Sequence, residues 1–322
     1  MASATETATT LTSRVAVIFP GQGSQAVAML SELSEDYPQI KATFDEASQA
    51  LGEDLWEICQ DDARLNQTKY TQPALLAASI AMWRILEGKL EKAPRYLAGH
   101  SLGEYSALCA AGVISFADAI RLVHKRGQLM QEAVAGVDTA MAAVLGLEDS
   151  RVETLCEQAT EHVDGAIVNA ANFNSPGQVV VSGNEAGVNA VIDKVQNTGK
   201  KAIPLKVSVP SHCALMQPAT NALAELLATV KFEPAAIPVI QNRHARVEGN
   251  IQAIKQALTE QLSEPVLWSK TMQELADKQI DVLIECGSGN VLSNLAKRQA
   301  EPIVSYPVDK PARLDKLLEV LS

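Results

Sequence analysis

Aromatic side chains are scarce: three Trp, five Tyr and five Phe make up 4% of 322 residues. Single-stranded nucleic acid is bound largely by stacking bases on such rings, so this composition excludes base stacking as the main business of the chain. Basic charge is short as well. The chain has 27 Lys and Arg against 38 Asp and Glu, and the net charge of −11 repels nucleic acid and anionic membrane as a whole. No nucleic-acid or membrane partner is expected, and a polyanionic partner must find a local basic patch. Nor is there an apolar run of the ~20 residues that cross a bilayer, since the stretch from Pro73 is broken by Arg84 and Glu87. Cys59, Cys109, Cys156, Cys213 and Cys286 are an odd, dispersed set without a C-x-x-C pair, which predicts reduced thiols and a cytoplasmic location. The opening MASATETATTLTS has no Lys or Arg, so it lacks the basic stretch of a targeting peptide. Residues 1–13 are expected to be a disordered tail without chemistry.

What is present is the make-up of a folded α/β protein, 47% hydrophobic and 20% charged. Val15-Ala16-Val17-Ile18-Phe19, stopped by Pro20-Gly21, has the unbroken apolar character of a buried parallel strand. Helices are expected at 38–51 and 73–90, then a strand at 96–98, then an Ala-rich helix to Ala111. Ser115 followed by Asp118 predicts a capped helix running to Glu132. The segment 136–207 has a different order: strand 139–146, helix 149–162, strands 166–171 and 177–182, helix 185–198, strand 202–207. This βαββαβ order is the ferredoxin-like one. Its helices carry single apolar stripes, Val152, Leu155, Cys156 and Ala159 in one and Val188, Val191, Ile192 and Val195 in the other. Strand and helix alternation resumes with helices at 214–229 and 250–262 and apolar runs at 237–240 and 282–284. Residues 14–135 and 208–322 therefore read as one discontinuous α/β unit that carries 136–207 as an insertion.

Gly99-His100-Ser101-Leu102-Gly103 is a G-x-S-x-G pattern between a strand and a helix, the setting of a nucleophile elbow. The flanking glycines are expected to permit a strained turn, and the helix start supplies N–H groups to a developing oxyanion. A serine hydroxyl needs a neighbouring base. Of the five histidines, His212 follows Val207-Ser208-Val209-Pro210-Ser211, where the chain leaves the insertion and where a cleft is expected. No Asp or Glu stands at a strand end to orient it. Gly21-x-Gly23-x-x-Ala26 matches a dinucleotide fingerprint, but the acidic residues about 20 positions on, Asp45 and Glu46, lie in a helical stretch, which favours a glycine turn donating N–H groups near the serine. Arg126 lies in a helix, on either a solvated basic face or, if buried, a site that grips a carboxylate with two parallel hydrogen bonds.

The ordered set FPGQGSQ at 19–25, GHSLGEYSAL at 99–108, RGQLMQEA at 126–133, NFNSPGQVV at 172–180 and VPSHCALMQPA at 209–219 resembles the malonyl-coenzyme A:acyl carrier protein transacylases of type II fatty acid synthesis. The resemblance covers 14–322 and implies an α/β-hydrolase-like core with an inserted ferredoxin-like subdomain. It implies Ser101 as acylated nucleophile, His212 as base and Arg126 as the grip on the malonyl carboxylate. Backbone N–H groups of Gln22 and Leu102 are implied as the oxyanion hole, and the Gln261 carbonyl as the group that orients the histidine. Asn172 and Asn174 match a loop lining the cleft. Malonyl-CoA and an acyl carrier protein are the implied partners, with no cofactor, no metal and a monomeric enzyme. Such carriers are acidic, which makes Lys194, Lys200, Lys201, Lys206, Lys297 and Arg298 candidates for a basic rim. Cys286-Gly287-Ser288-Gly289-Asn290 departs from the Gly-Pro-Gly turn common in these enzymes. A serine thioesterase, a dinucleotide-dependent oxidoreductase, a carrier-binding module without catalysis and a polyketide-pathway acyltransferase are the rival readings.

Overall fold

The structure, a computed structural model, describes residues 14–206 and 209–321. The expected tail at 1–13 and the 207/208 boundary lie outside the described residues. Among the described residues ten strands run in chain order as β1 (Val15–Phe19), β2 (Tyr96–Gly99), β3 (Thr139–Leu145), β4 (Val168–Ser175), β5 (Gln178–Asn184), β6 (Lys201–Pro204), β7 (Val239–Gln241), β8 (Arg246–Val247), β9 (Val282–Glu285) and β10 (Val304–Pro307). They form two sheets, β10-β9-β1-β2-β7-β8 and β4-β5-β3-β6. The first is parallel except for the short β8, which turns back on β7.

β1 lies in the middle of the larger sheet, flanked by β2 and β9, and is covered on both faces. That explains its unbroken apolar run: Val17 and Phe19 join one core with the helices Gln39–Leu51, Thr68–Glu87 and Phe116–Ala133. Ala16 and Ile18 point the other way, into a core with Trp268, Met272 and Leu275 of the helix Trp268–Asp277. The smaller sheet is antiparallel and carries its own two helices on one face. Val152, Leu155, Cys156 and Ala159 of Asp149–His162, with Val188, Val191 and Val195 of Glu185–Gln196, bury their stripes against Ala142, Val144, Val179 and Val181. The intervening residues Met141, Ala143 and Val180 face the opposite way and line a cleft toward the larger sheet. Backbone pairing also ties β4 to the connection just before the helix Trp268–Asp277, with Phe173 N–H donating to Val266 and Val266 N–H to Ala171.

Three expectations need correction. The helix expected at 73–90 begins at Thr68, so Pro73 lies inside it. A proline has no N–H for the carbonyl four residues back, which here is that of Lys69. His124 Nδ1 takes that carbonyl instead at 2.8 Å, and the helix continues. Asn172 and Asn174 are not in a loop: β4 runs to Ser175, and a tight turn at 176–177 leads straight into β5. Helices at Trp268–Asp277, Val291–Ala296 and Pro311–Leu321 and strand β10 were not anticipated. The five cysteines are free thiols, as expected. Among the described residues no helix is long and apolar enough to cross a membrane, and no cluster of His, Cys, Asp and Glu suits a metal ion.

Candidate active site

β2 ends at Gly99 and the helix Leu102–Ala110 begins one residue after Ser101, so the serine occupies the bend between strand and helix. The flanking glycines act through close approach. A Cβ on Gly99 would stand 1.9 Å from the carbonyl of Gly103, and one on Gly103 would stand 2.0 Å from the carbonyl oxygen of Phe19. The strained angle belongs to Ser101 itself, at φ 52° and ψ −109°. This conformation turns its side chain into the cleft between the two sheets.

Ser101 Oγ lies 2.7 Å from His212 Nε2, and His212 Nδ1 lies 2.6 Å from the main-chain carbonyl of Gln261. A carbonyl only accepts, so Nδ1 carries the proton and Nε2 is left as the acceptor for the serine hydroxyl. The Gln261 carbonyl thus occupies the place where a triad would put a carboxylate. His212 is 1% exposed, and its pKa falls to about 3 through burial first and the nearby Arg126 charge second. It is therefore neutral at pH 7. The remaining histidines are occupied elsewhere: His124 with Lys69, His162 with Gln158, His244 beside Glu260, and His100 with Asn174 Oδ1 at 2.8 Å.

Arg126 is buried at 1% exposure, so the solvated-face alternative does not hold. Its Nη2 donates to Gln261 Oε1 at 3.1 Å and stands 3.5 Å from Ser101 Oγ, while the guanidinium lies over the Tyr105 ring. Among the described residues no carboxylate pairs with it in a salt bridge, and its buried Nε has no partner. A buried, unpaired guanidinium beside a nucleophile is a site for a ligand carboxylate. Gln22 and Leu102 line the same cleft, which holds roughly 1080 Å³ including its open mouth. Leu102 opens a helix, so its N–H has no acceptor within that helix. The 21–23 turn packs directly on the bend, since a Cβ on Gly21 would stand 2.3 Å from the His100 carbonyl. The dinucleotide alternative loses its acidic residue, because Glu46 sits on the helix Gln39–Leu51 paired with Arg84 at 2.8 Å.

Two further residues hold the bend and were not foreseen. Asn242, just beyond β7, accepts the Ser101 N–H at Oδ1 and donates from Nδ2 to the Gly99 carbonyl, both at 2.6 Å. Glu104, fully buried, accepts from the Asn242 N–H at 3.0 Å and from Gln261 Nε2 at 2.7 Å. Burial pushes the Glu104 pKa up to about 7, against the pull of these donors and of Arg126. Glu104 had a local signal, a lone charge inside an otherwise uncharged apolar helix. Asn242 had none.

A family profile described as the acyl transferase domain matches residues 16–304. The malonyl CoA-acyl carrier protein transacylase of Escherichia coli strain K12 is 47% identical over 308 residues, covering 95% of this chain and 99% of the relative. The chain belongs to the malonyl CoA-acyl carrier protein transacylase family. The Bacillus subtilis strain 168 member of that family is 41% identical over 314 residues, with 96% of this chain and 98% of the relative covered. Among solved structures, FabD of Acinetobacter baumannii superposes with a TM-score of 0.93 at 49% identity, covering 96% of this chain and 98% of that one. A malonyl-transacylase solved in complex with a type II polyketide acyl carrier protein superposes at 0.92 with 45% identity, over 95% of this chain and 99% of that one.

Proposed function

We propose that this protein moves a malonyl group from malonyl-CoA to the phosphopantetheine thiol of an acyl carrier protein through an ester on Ser101, and so supplies fatty acid chain elongation. The observation that carries the reading is the buried, unpaired Arg126 guanidinium 3.5 Å from the Ser101 hydroxyl, itself in contact with a neutral His212. His212 Nε2 takes the hydroxyl proton as Oγ attacks the thioester carbonyl carbon; the C–S bond breaks, and the departing thiolate takes that proton. In the second half the carrier thiol gives its proton to His212 and its sulfur attacks the ester carbon; the C–Oγ bond breaks, and the departing Ser101 oxygen takes the proton back. Thioester and ester are close enough in energy that these transfers proceed without a cofactor or metal.

The roles follow from what each group can donate or accept. The Gln22 and Leu102 backbone N–H groups form the oxyanion hole, and the Gln261 carbonyl keeps His212 in its acceptor tautomer. Arg126 pairs with the malonyl carboxylate, fixing the acyl carbonyl between nucleophile and oxyanion hole and favouring substrates with a free acid. Asn174 orients His100 in the cleft wall, and Asn172 lines it. The fold is read as an α/β-hydrolase-like core, residues 14–135 and 208–322, with a ferredoxin-like subdomain at 136–207; the order β4-β5-β3-β6 supports the second part. The enzyme works as a monomer in the cytoplasm. A polyketide carrier is the alternative acceptor, raised by the carrier named in the second structural neighbour.

Intact-protein mass after brief exposure to malonyl-CoA without acceptor tests the reading. One malonyl adduct is expected, absent in Ser101→Ala and discharged by carrier protein. Arg126→Ala should weaken malonyl transfer by about 2–5 kcal/mol and acetyl transfer much less. Steady release of coenzyme A with no adduct would make the protein a thioesterase.

A further inference from the structure

The bend that presents Ser101 is held by two side-chain amides. Asn242 spans it from the Gly99 carbonyl to the Ser101 N–H, and Gln261 Nε2 donates to the Ser101 carbonyl at 3.1 Å. Neither amide can be turned over without setting donor against donor, because Asn242 Oδ1 faces an N–H and Gln261 Oε1 faces the Arg126 guanidinium. Both residues converge on one atom. Glu104 Oε2 accepts the Asn242 main-chain N–H and the Gln261 Nε2–H, while Glu104 Oε1 is buried without a partner. A single carboxylate oxygen, three residues along the helix from the nucleophile, therefore links the Ser101 peptide on one side with the guanidinium on the other.

Resting on the transfer reading above, we propose that Glu104 is a positioning residue for malonyl transfer. Through Asn242 it fixes the backbone of Ser101, and through Gln261 it fixes the Arg126 guanidinium that receives the malonyl carboxylate. What it supplies is an acceptor at one point, and the negative charge is incidental. The partnerless Oε1 can carry a proton while Oε2 keeps both donors, so the acid and its anion hold the two N–H groups alike. Glutamine can do the same, with its oxygen at the Oε2 position and its NH2 at Oε1. Aspartate keeps the charge but is one methylene shorter and cannot reach both donors.

Glu104→Asp and Glu104→Gln therefore separate reach from charge. The readouts are kcat/KM for acylation by malonyl-CoA and by acetyl-CoA, with circular dichroism to establish folding. E104D is expected to lose about 10-fold or more in malonyl acylation and a similar factor in the malonyl-to-acetyl ratio, and E104Q to stay within about 3-fold of the parent on both. A role confined to stability would lower the melting temperature and leave that ratio unchanged. A folded E104D with the parent ratio, equal losses in both variants, or a loss confined to E104Q overturns the assignment. If E104D does not fold, E104Q alone decides, since a loss there overturns it and retention of both values supports it. An unmodified Ser101 in the parent protein after malonyl-CoA exposure would overturn the transfer reading, and this inference with it.

Discussion

At the scale of single residues, Glu104 and His212 are buried titratable groups displaced in opposite directions. Glu104 rises from an ordinary 4.5 to about 7 because burial disfavours its anion. The folded protein then keeps a proton that the unfolded chain has released, so Glu104 favours folding most below its ordinary value and loses that contribution as pH rises through 7. His212 falls from 6.5 to about 3, so its contribution is present above 6.5 and is lost as pH falls toward 3. Glu104→Gln removes the first effect and leaves the second. Relative to the parent, E104Q should gain up to about 3 kcal/mol of unfolding free energy between pH 5 and 8, read from urea titrations at the two pH values. An unchanged difference would mean that Glu104 is ionised throughout. Ser101, His212 and Arg126 could be nominated from motif and resemblance, but the Gln261 contact depends on a main-chain carbonyl, which no residue type advertises. Asn242 was illegible for a related reason: it follows a short strand whose neighbour, β2, is fixed only by the sheet order.

Secondary-structure elements meet at the bend with no spare room. β1 approaches the helix Leu102–Ala110 so closely that position 103 faces the Phe19 carbonyl, and backbone atoms cannot move aside as a side chain can. Gly103→Ala should therefore lower stability by about 3 kcal/mol or more, or abolish folding, as measured by denaturant unfolding. The Gly112 position, with φ +76° and open space around it, has no such contact. Periodicity made most elements legible here. The stripes at Val152–Ala159 and Val188–Val195 located both helices of the smaller sheet, because each buries one face only. It failed at Thr68, where the rule against interior proline was offset by a histidine from another helix, and at Asn172 and Asn174, polar residues in a strand whose inner face lines a cleft. Each failure needed a tertiary partner that local pattern does not contain.

On the scale of the whole molecule, the cleft is walled by one face of the smaller sheet and by turns and helices that follow the strands of the larger, and its rim carries some of the scarce positive charge. Arg298 Nη1 donates to Gln178 Oε1 at 3.0 Å, and Gln178 lines the cleft; Lys206 follows the cleft residue Leu205. Both are exposed, as are Lys200, Lys201 and Lys297, whereas Lys194 is half-buried. Reversing Arg298 and Lys206 to Glu should raise KM for an acidic carrier protein by about 5-fold at low ionic strength and flatten its salt dependence. Steady-state transfer at two salt concentrations checks this, and an unchanged slope would remove these two residues from the docking surface. The bend at Ser101 bears on the molecule as an object of selection. Ser101 and His212 both hold positive φ, 52° and 62°, where glycine would be at ease. Stability and activity therefore pull the same two codons in different directions. A library sorted for thermal resistance alone would drift at these sites toward a sturdier protein without the Ser101–His212 contact.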